Sequence, residues 1–166
     1  MNGSHRLTVL GELTFRQAVW LFPLAFGLHV FEEWTRFVTW ANRHASASFT
    51  RRDYVVIHLS GVVGAIVAAA LLSRFSPRAL VFVFFAFLFL PALFWNVLFH
   101  VGATAAFRDY CPGLITAVLL YPFVVYLVSH SATRDGLISS GSWVAALLIA
   151  SVFHVWEVGH NVFKAW

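Results

Sequence analysis

Long apolar runs separated by short polar stretches fill almost the whole chain. A helix needs roughly 20 mostly apolar residues to cross a hydrocarbon core of about 30 Å. Five runs meet this requirement, and they predict transmembrane helices at about residues 15–37, 54–73, 79–107, 110–131 and 137–163. The sequence therefore predicts an all-α fold, an integral membrane bundle of five transmembrane helices that forms a single domain over residues 1–166.

Composition supports the membrane class and narrows the partners. Hydrophobic residues make up 60% of the 166 residues and charged residues only 11%, with a mean hydropathy of +0.80. The formal charge is +4, but the Lys and Arg residues are scattered at predicted helix ends, as interfacial anchors are. The expected partners are the lipid bilayer and a hydrophobic small molecule rather than nucleic acid. The single cysteine, Cys111, excludes an internal disulfide and a Cys-rich zinc module.

The orientation in the membrane is not decided by charge. The eleven Lys and Arg residues divide almost equally between the two predicted sides, so the positive-inside rule leaves both topologies open. A cluster of Arg43, Arg51 and Arg52 in the longest loop favours a cytoplasmic location for the side on which the first helix ends. The sequence does not predict an oligomeric state.

Ionisable and amide side chains inside the apolar runs concentrate toward one end of the bundle. In a five-helix bundle, odd-numbered helices end on the side where even-numbered helices begin. Measured at about 1.5 Å per residue from Arg36, Arg52, Arg108 and Lys164, the polar residues lie roughly 5 to 15 Å inside one leaflet. They are His29, Glu32, Glu33, His58, Asn96, His100, His154, Glu157, His160 and Asn161.

Helical spacing places several of these residues on shared faces. Residues three or four positions apart lie on one face of a helix. This groups His29 with Glu32 and Glu33, and it groups Asn96 with His100. In the fifth helix it aligns His154, Glu157 and Asn161, with His160 on the flank. His58 lies roughly in line with a stripe of small residues at positions 61, 64, 65, 68 and 69, which suits close helix packing.

Histidine and glutamate in this arrangement are typical of a metal site. Ionisable groups inside a membrane are costly and usually functional, and three carboxylates need a counter-charge. His and Glu bind zinc and non-haem iron, and helical di-metal proteins use Glu-x-x-His pairs such as Glu157 with His160. We therefore predict one or two zinc or iron ions, with ligands drawn from His29, Glu32, Glu33, His100, His154, Glu157 and His160. The candidate catalytic residues are Glu32, Glu33, Asn96 and His100, with one glutamate as general base or bridging ligand.

Aromatic residues next to these motifs are candidates for a pocket lining. Trp34, Trp95 and Trp156 each adjoin a polar motif, and with His58 and Asn161 they are predicted to line a pocket. An interfacial aromatic belt is the alternative interpretation of the tryptophans. Pro91 precedes Asn96 by five residues, so a kink there is expected to shape a cavity.

Three motifs in order resemble a known family. They are HVFEEW at residues 29–34, Asn96 with His100, and Tyr110-Cys-Pro-Gly-Leu-Ile-Thr followed by Pro122. This combination, over about residues 28–122, is similar to the HXXEE-domain family of small bacterial and archaeal integral membrane proteins. The resemblance implies a multi-pass protein of the prokaryotic plasma membrane and a shared role for His29, Glu32, Glu33, Asn96 and His100. It does not imply a particular reaction, because the family is defined by its motifs.

Three functions remain open from the sequence. The first is a metal-dependent membrane hydrolase or oxidoreductase that acts on a lipid or isoprenoid-like substrate. The second is a metal-free acid/base isomerase or carbocation cyclase of a sterol-like or terpenoid-like substrate. The third is a proton-coupled transporter, which is disfavoured because the opposite leaflet lacks buried ionisable residues that would continue a path.

Overall fold

The computed structural model describes residues 13–46 and 48–163. Helices account for most of this range: α1 (Phe15–Ala18), α2 (Leu21–Glu33), α3 (Phe37–His44), α4 (Arg51–Arg74), α5 (Arg78–Phe107), α6 (Leu114–Arg134) and α7 (Ser140–Phe163). The last four are each long and apolar enough to cross a membrane, judged over the described residues. The predicted all-α membrane bundle is confirmed. Lys164, which served as a depth reference, lies outside the described residues.

The first predicted transmembrane helix, residues 15–37, is the part of the prediction that was wrong. It is broken into α1 and α2, and α2 alone would span only about 20 Å of the roughly 30 Å required. Pro23 explains the break, because it has no N–H to offer the carbonyl of Val19 four residues earlier. That carbonyl instead accepts from the backbone N–H of Phe22 at 3.2 Å, which tightens the turn. Among the described residues, the number of long continuous spans is therefore four rather than five.

A short helix that the sequence analysis did not predict follows a turn at residues 34–36. This helix, α3, buries Phe37, Trp40 and Ala41 against the ends of α4 and α5. It begins four residues after Glu33 and closes over the same end of the bundle that carries the polar residues. Its last turn is tied to the loop after α5, because Arg43 and His44 both contact Asp109, at 3.2 and 2.8 Å. The hydrogen bond from His44, with Arg43 beside it, lowers the pKa of Asp109 below its usual value.

The long helix α5 contains a wide π-helical segment, Phe85–Trp95, with Pro91 inside it. Proline cannot donate a backbone hydrogen bond, so the backbone around it departs from α-helical spacing. Phe84 and Phe89 stack at 5.2 Å between ring centroids, and Phe22 of α2 packs edge-on against both. Pro91 itself lines a cavity, as its position in the sequence led us to expect.

The small residues of α4 pack unevenly. Ala65 and Ala69 are fully buried, whereas a Cβ added at Gly64 would meet nothing within 4 Å. A Cβ added at Gly61 would lie 2.8 Å from Cε1 of Phe26 on α2. The close approach of α4 to α2 therefore depends on Gly61 and the two alanines, and it brings His58 toward the end of α2.

Candidate metal centre

Four side chains from three helices meet at the polar end of the bundle. His29 and Glu33 come from successive turns of α2, His58 from the second turn of α4, and His100 from the second half of α5. His29, Glu33 and His100 have relative exposures of 1%, 2% and 0%. Ionisable groups buried this completely need partners of opposite charge or a bound ion.

The distances within this group centre on one oxygen of Glu33. Nε2 of His29 and Nε2 of His100 each lie 3.4 Å from Oε1 of Glu33. Ligand atoms of His29, Glu33 and His100 all fall within 4.8 Å of one another. Two ligands held about 2.1 Å from a tetrahedral zinc are roughly 3.4 Å apart, so the separations suit ligands of a common ion.

Several donor atoms of these three side chains have no hydrogen-bond partner among the described residues. Nε2 of His29, both ring nitrogens of His100 and Oε2 of Glu33 are buried without one. Buried polar groups are normally satisfied, because leaving one unpaired costs about 1–3 kcal/mol. Because their ligand atoms are also close together, His29, Glu33 and His100, called the metal group below, can hold a metal ion.

His58 contacts the second oxygen of Glu33. Its Nδ1 donates to the carbonyl of Tyr54 at 2.8 Å, which turns Nε2 toward Glu33. Nε2 then lies 2.8 Å from Oε2 of Glu33, close enough for an ion pair but without hydrogen-bond alignment. The ring of Tyr54 stacks on His58 at 3.9 Å, and its hydroxyl donates to the carbonyl of Val30 at 2.9 Å. Tyr54, which the sequence analysis passed over, thus orients His58.

Glu32 is not brought into the metal group. Both of its oxygens accept hydrogen bonds from the segment that begins α6. The backbone N–H groups of Gly113, Ile115 and Thr116 donate to it at 3.2, 3.1 and 2.8 Å. The hydroxyls of Thr116 and Tyr110 donate as well. Glu32 therefore acts as a carboxylate cap on the N-terminus of α6, a favourable position for an anion.

The segment that Glu32 holds is pressed against the metal group. Gly113 has φ +100°, and a Cβ there would lie 2.5 Å from Cε1 of His29 and 2.7 Å from Cε1 of His100.

Cys111 is buried in the same segment, and its backbone N–H donates to the hydroxyl of Thr104 at 3.1 Å. Burial raises the pKa of the Cys111 thiol, in keeping with an inert residue. Burial and then the hydrogen bond to Glu32 raise the pKa of Tyr110 to about 12, so its phenol stays a donor at neutral pH.

A cavity of about 200 Å³ adjoins the metal group on the side of α7. Asn96, His154, Glu157 and Asn161 line it together with Glu33 and His58. Nδ1 of His154 and Oδ1 of Asn96 are buried without hydrogen-bond partners. The rest of the wall is apolar and rich in phenylalanine, including Phe22, Phe26, Phe37, Phe87, Phe99 and Phe153. His154, Glu157 and Asn161 of α7 thus line the cavity beside the metal group but are not part of the metal group.

The remaining predicted residues lie elsewhere. His160 is exposed, and its ring stacks parallel to that of Trp156 at 5.6 Å. The helix widens to a π-helix at Gly159, between Glu157 and His160, so this pair does not keep regular α-helical spacing. Trp34 is 45% exposed and carries Arg51 over its ring at 4.0 Å, so it does not line the cavity. Trp95 lines a neighbouring groove with His154.

The sequence predicts seven ligands for one or two ions. Within the described ranges, the one group of three metal-binding side chains with suitable spacing is His29, Glu33 and His100. Residues that the prediction missed include Tyr54, Gly113, Thr116 and Tyr121. Tyr121 is buried with its ring 4.9 Å from that of His29. Gly113 and Thr116 belong to the third sequence motif, Tyr110-Cys-Pro-Gly-Leu-Ile-Thr.

The fold and the site define a class: an all-helical membrane protein with a buried His/Glu group at one end of its bundle. The chain belongs to the family described as "Protein of unknown function with HXXEE motif", whose model matches residues 20–127. The resemblance seen in the sequence is confirmed, and the first motif supplies His29, Glu32 and Glu33. Comparison with curated proteins and with solved structures gave no match.

Proposed function

We propose that this protein is a metal-dependent membrane enzyme that acts on a lipid or isoprenoid-like substrate. The observation that carries the proposal is the set of unpaired donor atoms on His29, Glu33 and His100, of which Glu33 lines a largely apolar cavity. Three protein ligands are typical of catalytic zinc, which keeps a further position for water or substrate, whereas structural zinc sites are closed by four. A bound zinc or iron ion would supply Lewis acidity or redox chemistry at this point.

The protein side chains around the cavity suit acid–base chemistry. His58 lies against Glu33, and His154 and Glu157 face the cavity from α7. Asn96 offers an unpaired amide oxygen that can orient a polar head group. These groups can take up or donate a proton and orient a substrate head, while the phenylalanine wall excludes water.

The size of the cavity supports a substrate that is only partly enclosed. Sites that enclose drug-sized ligands usually measure about 300–1,000 Å³, so about 200 Å³ holds a head group and a short length of chain. Phe99, His154 and Val158 also line a groove of about 430 Å³ between α5 and α7. A long apolar tail can therefore continue from the cavity into this groove, where the membrane would surround it.

Metal analysis of the purified protein tests the ion. We expect about one equivalent of zinc or iron per chain after growth with both metals. His29→Ala and His100→Ala should each weaken binding by at least roughly tenfold, because each removes a ligand. The matched control is His130→Ala, which removes an exposed histidine that stacks on Tyr126 in α6. A wild-type protein that fails to bind stoichiometric metal would overturn the proposal.

The cavity is tested separately through Gly61. This glycine lines the cavity, whereas a side chain at Gly64 would enter open space on the same helix. We expect Gly61→Leu to lower the amount of lipid that copurifies with the protein several-fold, and Gly64→Leu to leave it unchanged. Mass spectrometry of extracts from equal amounts of folded protein measures the difference. Equal lipid content in the two variants would exclude this cavity as the substrate site.

A second candidate is a metal-free isomerase or carbocation cyclase, favoured by the His58–Glu33 contact and the aromatic wall. Phenylalanine faces can stabilise a cationic intermediate. Binding of an amine that mimics such a cation to metal-free protein would support this candidate. It would be rejected if the amine failed to bind while zinc bound with the predicted dependence on His29 and His100.

A further inference from the structure

The contacts of Thr116 define where its hydroxyl proton lies. Oγ1 of Thr116 is 2.6 Å from Oε2 of Glu32, 3.1 Å from the carbonyl of Gly113 and 2.9 Å from Nδ1 of His29. A hydroxyl donates one hydrogen and accepts through its lone pairs. The carboxylate and the carbonyl are acceptors only, so neither can donate to the hydroxyl.

Glu32 is the group that receives this hydrogen. Its two oxygens already accept from three backbone N–H groups and from Tyr110, which is the pattern of an ionised carboxylate. The 2.6 Å separation is that of a charge-assisted O–H···O⁻ bond. The hydroxyl of Thr116 therefore presents a lone pair to His29, and Nδ1 of His29 must be the donor in their contact.

We propose that Glu32 and Thr116 are positioning residues that hold the proton of His29 on Nδ1 and so leave Nε2 unprotonated toward Glu33 and His100. This accounts for the missing hydrogen-bond partner of Nε2. An unprotonated Nε2 and the carboxylate oxygen 3.4 Å away are both acceptors, so they cannot form a hydrogen bond, although both can bind the same cation. In known metal sites a ligating histidine commonly donates its other ring N–H to a fixed acceptor, which sets the tautomer and the ring orientation.

The proposal also gives the two adjacent glutamates different roles. Glu33 belongs to the metal group, while Glu32 acts on His29 through Thr116 and touches neither His100 nor His58. The consequence for metal binding rests on the proposed function. The tautomer of His29 does not, and it can be measured in metal-free protein.

Nuclear magnetic resonance of the full chain, labelled with ¹⁵N-histidine and stripped of metal, tests the tautomer. Two-bond ¹H–¹⁵N correlations identify which ring nitrogen carries the proton, and comparison with His29→Gln assigns the signal. We expect the Nδ1–H form in the wild type and in Thr116→Ser, which keeps the hydroxyl. We expect loss of that preference in Thr116→Val, which keeps the shape but removes the acceptor. A wild-type His29 in the Nε2–H form or protonated on both ring nitrogens, or the same tautomer in Thr116→Val, would overturn the proposal.

Zinc titration of the same proteins provides the second measurement. Thr116→Val should weaken zinc binding about 10- to 100-fold, the usual effect of losing such a partner, and Thr116→Ser should restore most of the affinity. The matched control is Thr104→Val, which removes a different hydroxyl that holds the same segment, through Cys111, without touching His29. Equal weakening by Thr104→Val would assign the effect to loosening of the segment and contradict the proposal. If the wild type shows the expected tautomer but binds no metal, the proposed function fails and the positioning role stands.

Discussion

Gly113→Ala is expected to destabilise the protein by about 2–5 kcal/mol and to abolish metal binding in the fraction that folds. Two costs combine. A residue with a Cβ is strained by about 1–2 kcal/mol at φ +100°. The added Cβ would also lie 2.5 Å from Cε1 of His29, 2.7 Å from Cε1 of His100 and 3.0 Å from Cγ of Glu33. Forcing an extra carbon into packed surroundings typically costs a further 1–3 kcal/mol.

Gly136→Ala is the matched control for this prediction. Gly136 also has positive φ, at +69°, but a Cβ there would meet nothing within 4 Å. It should therefore show the backbone strain alone, about 1–2 kcal/mol, with metal binding unchanged. Reversible unfolding in mixed micelles measures both stabilities, and zinc titration measures the affinity. Equal destabilisation of the two variants would show that the segment after α5 does not press on the metal group.

The sequence could predict which helix ends meet, because this follows from chain direction and helical spacing. His29 and Glu33 are one turn apart on one helix, and His100 lies late in another helix that ends on the same side. The distances of 3.4 Å from Glu33 to His29 and to His100 agree with these two rules. The position of His58 near the same helix ends was predicted by the same reasoning, together with the small residues of α4.

The sequence could not predict how the segment after α5 would use Glu32. Glu32 and Glu33 are adjacent and equally acidic, and helical spacing alone places both near His29. Their separation depends on Gly113, whose positive φ starts α6 with three N–H groups aimed at Glu32. Such a contact joins residues about 80 positions apart, and no local pattern in the chain indicates it.

Two further departures from regular helical spacing have local causes in the backbone. Pro23 withdraws the N–H that would have carried the first helix past Val19, which explains the shortened α2. The widening of α7 at Gly159 changes the spacing on which the Glu157–His160 pair depended. A period of 3.6 residues is a safe assumption only where the helix keeps α-helical hydrogen bonds.

Glu33→Gln and Glu32→Gln are expected to change different properties, although the residues are neighbours: Glu33→Gln mainly lowers metal affinity, and Glu32→Gln mainly lowers stability. Glu33→Gln removes the anionic ligand at the centre of the group, so metal affinity should fall by at least about 100-fold. In the metal-free protein, stability should fall by less than about 1 kcal/mol or should rise, because burying a neutral amide costs less than burying a carboxylate. Glu32→Gln places an NH₂ group against at least two of the N–H and O–H donors that now point at its oxygens.

For Glu32→Gln the expected loss of stability is therefore about 3 kcal/mol, since hydrogen bonds to a charged acceptor contribute roughly 1.5–3 kcal/mol each and opposed donors add desolvation cost. Its metal affinity should fall less than that of Glu33→Gln, because the three ligands remain and only the support of His29 through Thr116 is weakened. Each variant serves as the control for the other in paired zinc titrations and unfolding curves. If both substitutions changed metal affinity equally without loss of stability, Glu32 would have to be a ligand, and the cap on α6 would not explain the presence of Glu32 in the motif.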